Sequence, residues 1–156
     1  MDIRSASFAH GAPIPARHTC DGGNTSPPLS WSGLPDGTRS LALIVDDPDA
    51  PDPSAPTRIW VHWVLYNIPP RVDALPEGGS RSPVPDGARE GLHDGDAPGY
   101  DGPCPPIGRH RYFHTLYALD TVLPDLGKGA RRGDLDGAMS GHVLATAQIM
   151  GTYCRG

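Results

Sequence analysis

The sequence predicts a mainly β domain with one helix near the C-terminus, and three observations carry that prediction. Apolar and β-branched runs of strand length occur at 38–46, 59–68 and 111–119, each bounded by Asp, Pro or Gly. Twenty glycines and 19 prolines, a quarter of the 156 residues, punctuate such runs instead of forming a block, so they read as stiffened loops. Over 134–150 the pattern changes: Leu135, Met139, Val143 and Ile149/Met150 recur at near-helical spacing with alanines between them.

The elements follow in chain order. Residues 1–8 are too polar for a signal peptide. The 38–46 run contains Leu41-Ala42-Leu43-Ile44-Val45 and leads into a turn, Asp47-Pro48-Asp49-Ala50-Pro51. In 59–68, period-2 alternation puts Trp60, His62, Val64 and Tyr66 on one face and Ile59, Val61, Trp63 and Leu65 on the other. Both faces are largely apolar, which marks an interior strand covered on both sides. Residues 70–108 form the least regular part, expected to meander over the sheet and end at the 103–106 turn. The strand at 111–119 places Tyr112, His114 and Leu116 on one face, with His110 just ahead on the same side. The helix expected over 134–150 takes Asp134 as its N-cap and Gly151 as its stop.

Bulk properties narrow the function classes. The length suits one domain, 1–156, with a proper core. A net charge of −5 with no Lys/Arg block argues against nucleic-acid binding, and no apolar run approaches a membrane span. Cytoplasmic residence is the expectation, and in a reducing compartment Cys20, Cys104 and Cys154 are expected as free thiols. Their number is odd and their spacing is not that of a metal site, so no metal is assigned.

The chemistry concentrates in two segments. One joins 47–51 to Trp60-Val61-His62-Trp63, and the other is Pro103-Cys104-Pro105-Pro106-Ile107-Gly108-Arg109-His110-Arg111-Tyr112. A carboxylate that accepts a proton from one imidazole nitrogen fixes the tautomer and turns the other nitrogen to a ligand. On that logic Asp47, His62 and His110 make an anion site with Tyr112 as a hydroxyl donor. Blander readings stand beside it: His62 as a core histidine satisfied by a carbonyl, and Asp47/Asp49 as turn residues. Pro105 and Pro106 lack N–H donors and suit a rigid apolar wall, with Cys104 as inert packing between prolines.

These segments resemble the phosphatidylethanolamine-binding protein (PEBP) family, in its bacterial, Raf-kinase-inhibitor-like branch. The resemblance rests on Thr19-Cys20-Asp21-Gly22, Ser26-Pro27-Pro28-Leu29-Ser30-Trp31, the 47–51 and 60–63 motifs, and Gly99-Tyr100 with Gly102-Pro103-Cys104-Pro105-Pro106. It continues through Gly108-Arg109-His110-Arg111-Tyr112, Leu116-Tyr117-Ala118-Leu119 and Met150-Gly151-Thr152-Tyr153. It implies an antiparallel two-sheet PEBP-like fold with a peripheral helix. It also implies an anion pocket lined by Asp47, Trp60, His62, Pro105, His110 and Tyr112, with Asp49 and Arg111 as supports that pin the loops. His18, His93 and His114 depart from the pattern, standing where an aromatic residue, an asparagine and a phenylalanine are usual.

The leading expectation is therefore a cofactor-independent binder of a small phosphate or head-group-like anion. The alternatives are acid–base catalysis on a small metabolite by His110, His114 and Asp47, or regulation of a kinase or protease. A homodimer is a further expectation of the resemblance. No stable membrane insertion is expected.

Overall fold

The computed structural model describes residues 1–80 and 84–156. Two antiparallel sheets organise the chain. The smaller joins β1 (Asp2–Arg4), β2 (Leu29–Ser32) and β5 (Ala74–Leu75) in the order β1-β2-β5. The larger has the order β6-β4-β3-β7-β8, with β3 at Ser40–Ala50, β4 at Arg58–Ile68 and β6 at Arg89–Glu90. Its remaining strands are β7 (His110–Leu119) and β8 (Val143–Tyr153).

The three predicted strands are β3, β4 and β7, each within a few residues of its expected bounds. β3 sits at the centre because residues 41–45 are all apolar and buried, a pattern that needs cover on both faces. One face of the large sheet packs on the small sheet. Leu41, Leu43, Val45, Trp63, Leu65, Tyr112 and Leu116 there meet Ile3, Leu29, Trp31 and Leu75. The other face (Ala42, Ile44, Val61, Val64 and Tyr66) packs on Leu135 and Met139 of α1, Arg132–Met139.

Two sequence expectations are corrected here. The helix does not run to 150: it ends at Met139, and Gly141 at φ +81° supplies the stop expected of Gly151. Beyond it, β8 pairs with β7 from Val143 to Tyr153, because β7 needs a ladder partner on its free side. Asp134 is not the cap itself: its carboxylate accepts the backbone N–H of Arg131, the residue that precedes the helix. The second correction concerns the cysteines. Cys20 and Cys104 form a disulfide across 84 residues, and Cys154 is the free thiol. The expectation of three free thiols is thereby corrected for Cys20 and Cys104.

The irregular 70–108 stretch contains β5 and β6, which add short edges to the two sheets. Its segment 81–83 lies outside the described residues. Among the described residues no helix is long and apolar enough to cross a membrane.

Candidate ligand-binding site

The pairing of β4 with β3 shifts register at three places, and one of them makes the site. Val45 pairs with Trp63 but Asp46 pairs with Val61, so His62 is an extra residue in a β-bulge. Val61 consequently shares the α1 side with Val64, while Trp63 and Leu65 face the small sheet. The grouping of His62 with Val64 and Tyr66 is therefore corrected: its ring meets Tyr112 edge-on, with centroids 5.3 Å apart.

A cavity of about 290 Å³ opens beside this bulge. All six residues expected to line an anion pocket reach it: Asp47, Trp60, His62, Pro105, His110 and Tyr112. β3 supplies Asp47 from its end and β4 supplies Trp60 and His62. His110 and Tyr112 come from the start of β7, and Pro105 from the strap that precedes it. The strap is tied down from behind. Cys104 is bonded to Cys20, Gly102 donates its N–H to Asn24 Oδ1 at 2.7 Å, and Tyr100 donates its hydroxyl to the His18 carbonyl at 2.6 Å.

The hydrogen bonds fix which atoms are open to a ligand. His62 Nδ1 lies 2.6 Å from the backbone carbonyl of Asp101, which only accepts, so the proton sits on Nδ1. Nε2 is then a bare acceptor. It is buried and has no hydrogen-bond partner in the protein, and the same is true of the Tyr112 hydroxyl. Burial lowers the His62 pKa, against the raising pull of Asp101 and Asp47, and burial with the nearby Asp47 carboxylate raises that of Tyr112. Both groups therefore stay neutral near pH 7.

His110 is arranged differently from the expectation. Its Nδ1 is 2.6 Å from Asp47 Oδ2 and its Nε2 is 2.9 Å from the Ile107 carbonyl. Both ring nitrogens face acceptors, so His110 forms part of the wall and offers no nitrogen to a ligand. The other oxygen of Asp47 accepts the Asp49 N–H at 2.7 Å.

Asp49 and Arg111 lie outside the cavity and clasp each other in a bidentate pair, at 3.0 and 2.9 Å. The guanidinium holds the Asp49 carboxyl below the usual carboxylate range. His114 is not brought to the cavity. It is buried against Phe8, with Nδ1 3.2 Å from the Tyr112 carbonyl, and burial pushes its pKa down to about 4. The acid–base pair envisaged from His110 and His114 is therefore not assembled around a common space. His18 and His93 are likewise buried structural histidines: His18 bonds to the Thr25 carbonyl and the Ser7 hydroxyl, and His93 accepts the Gly95 N–H.

Three lining residues escaped the sequence reading: Thr57, Arg58 and Asp101. Asp101 orients His62 through its carbonyl, and its only sequence mark was its place between Tyr100 and Gly102. Arg58 stands at the rim, with its guanidinium 4.5 Å from the Trp60 ring centroid and 3.1 Å from Asp94. The Ala50–Pro51 bond beside it is cis. Among the described residues no cluster of three or more His, Cys, Asp or Glu suited to a metal is present.

Comparison with known proteins agrees with this architecture. The family model described as phosphatidylethanolamine-binding protein matches residues 4–154. The UPF0098 protein of Methanothermobacter thermautotrophicus is 51% identical over the whole of both chains. That of Chlamydia muridarum is 44% identical over 98% of each. Among solved structures, a PEBP homolog from Chlamydia trachomatis superposes with a TM-score of 0.89 at 42% identity, covering 99% of this chain and 97% of that one. E. coli YbcL, described as a member of the mammalian PEBP family, gives 0.90 at 34% identity, covering 99% and 98%.

Proposed function

This chain belongs to the phosphatidylethanolamine-binding protein family, and from that premise we propose that it binds a small oxyacid, such as a phosphate-bearing head group, in the cavity beside His62. One observation carries the reading. Two neutral polar atoms, His62 Nε2 and the Tyr112 hydroxyl, are buried without partners at the same cavity. An unmatched buried polar group costs about 1–3 kcal/mol, so a ligand that matches both recovers that cost on binding.

The surroundings support the same reading. Trp60, Pro105, Pro106, Ala50 and Pro51 give the cavity rigid apolar walls, suited to excluding water around a few polar contacts. Arg58 at the mouth attracts an incoming anion, and its stacking on Trp60 holds it there. Asp47 and His110 serve as a fixed wall that aligns Tyr112, whose ring stacks on His110 with centroids 6.3 Å apart. Asp49 and Arg111 pin the loop that carries Asp47.

Calorimetric titration with methyl phosphate and with acetate tests the proposal. Binding that is lost in His62→Ala is the expected result. Absence of binding by any phosphorylated or carboxylated compound overturns it.

A further inference from the structure

The two open atoms are not alike, and the difference limits the ligand. Tyr112 Oη carries a proton and can donate it. His62 Nε2 carries none, because the Asp101 carbonyl holds the ring's proton on Nδ1. A ligand that satisfies both atoms must accept one hydrogen bond and donate another. A fully deprotonated oxyanion cannot, since it sets an oxygen lone pair against the Nε2 lone pair.

The charges around the ring point the same way. Two acidic residues stand at the cavity, Asp47 of β3, paired with His110, and Asp101 of the strap, whose carboxylate accepts from the Asn24 amide, while Arg58 is confined to the rim. Protonating His62 so that it donates to an anion works against burial, with the Asp101 carbonyl and the Asp47 and Asp101 carboxylates in favour. Placing the proton on the ligand avoids that conflict and reduces the ligand's charge between the carboxylates.

Resting on the oxyacid reading above, we infer that the cavity selects a ligand bringing its own acidic proton, a phosphomonoester monoanion, over a phosphodiester. The P–OH donates to His62 Nε2, and a second phosphoryl oxygen accepts from the Tyr112 hydroxyl. A diester has acceptor oxygens and no O–H, so it leaves Nε2 facing a lone pair unless His62 itself takes up a proton.

Methyl phosphate and dimethyl phosphate form a matched probe pair that differs by one methyl on oxygen. Titration calorimetry of the wild-type protein across about pH 5–8, in buffers of differing ionisation enthalpy, reads both affinity and proton uptake. At about pH 6, where half of methyl phosphate is the monoanion, it is expected to bind roughly tenfold tighter than dimethyl phosphate, because the diester leaves the buried Nε2 unmatched. Its Kd is expected to be flat below about pH 6, the second pKa of a phosphomonoester, and to rise tenfold per pH unit above it, with matching proton uptake. In His62→Gln the side-chain amide supplies a donor that does not titrate, so the gap between the two esters is expected to shrink.

Equal affinity for the two esters at about pH 6 in the wild-type protein overturns this inference and leaves the oxyacid reading standing. An unchanged gap in a folded His62→Gln protein also overturns it. If neither ester binds anywhere in the range, this inference fails, and if acetate does not bind either, the oxyacid reading fails with it.

Discussion

Tyr112 and His114 sit two residues apart on one face of β7, yet burial gives them opposite uses. The Tyr112 hydroxyl is unpartnered at the cavity, an arrangement that lowers stability in exchange for a binding contact. Tyr112→Phe is accordingly expected to raise the melting temperature of the free protein by a few degrees, about 2–4 °C per kcal/mol for a chain of this size. The same variant is expected to weaken methyl phosphate binding by roughly tenfold to a hundredfold, since a hydrogen bond to a charged group is worth about 1.5–3 kcal/mol. Thermal melts and calorimetry on one preparation check both halves.

His114, where the family pattern has phenylalanine, is fully enclosed, and its pKa falls from 6.5 to about 4. The folded state holds this ring neutral while the unfolded chain protonates it below 6.5. Its contribution is therefore complete above that value and is lost as pH falls towards about 4, amounting to roughly 3 kcal/mol over the window. His18 and His62 shift in the same direction and add to the loss. His114→Phe is expected to remove His114's share, so that urea unfolding near pH 5 shows about 2 kcal/mol less acid destabilisation than wild type. Equal acid sensitivity in the two proteins would mean that the ring does not stay neutral in the fold.

At the scale of elements, the chain shows where periodicity is informative and where it misleads. The strands β3, β4 and β7 were legible because long apolar, β-branched runs ended at Asp, Pro and Gly. β8 was not. Val143, Leu144, Ile149 and Met150 fit a helical spacing, and alanine favours helices. The signal that separates the readings is a period of two: Ile149 and Gly151 are buried while Leu144, Thr146 and Gln148 are exposed. Gly151 is needed there because a Cβ would lie 2.5 Å from Ile14 Cγ1. The bulge at His62 is invisible to any strict alternation, since it arises from the pairing with β3.

The strap offers the sharpest test at this scale. A Cβ on Gly102 would stand 2.2 Å from the His18 carbonyl oxygen and 2.6 Å from Asn24 Oδ1. Backbone cannot yield cheaply there, so Gly102→Ala is expected to destabilise the protein by about 1–3 kcal/mol. It is also expected to displace the Asp101 carbonyl and weaken ligand binding more than that stability loss explains. Chemical denaturation compared with calorimetry on the folded variant separates the two effects.

Across the whole molecule, one covalent bond joins distant parts of the chain beside the cavity. The Cys20–Cys104 disulfide closes a loop of 84 residues, for which the chain-entropy model gives roughly 4.5 kcal/mol. A Cys20→Ser/Cys104→Ser variant is expected to melt roughly 10 °C lower than the oxidised protein. Adding reductant to the wild type should reproduce most of that shift, and no shift in either case would show that the crosslink adds nothing.

By itself, the sequence determined that the chain is mainly β, which three runs form its central strands, and which two motifs supply the cavity. These are local matters of side-chain period, turn chemistry and motif spacing. Tertiary structure alone decided the disulfide, the strand at 143–153, the bulge that turns His62, and the engagement of both His110 nitrogens. It also decided the proton on His62, through a carbonyl 39 residues away. Each depends on which distant backbone group lies alongside, and pairing between remote segments leaves no period in the chain to read.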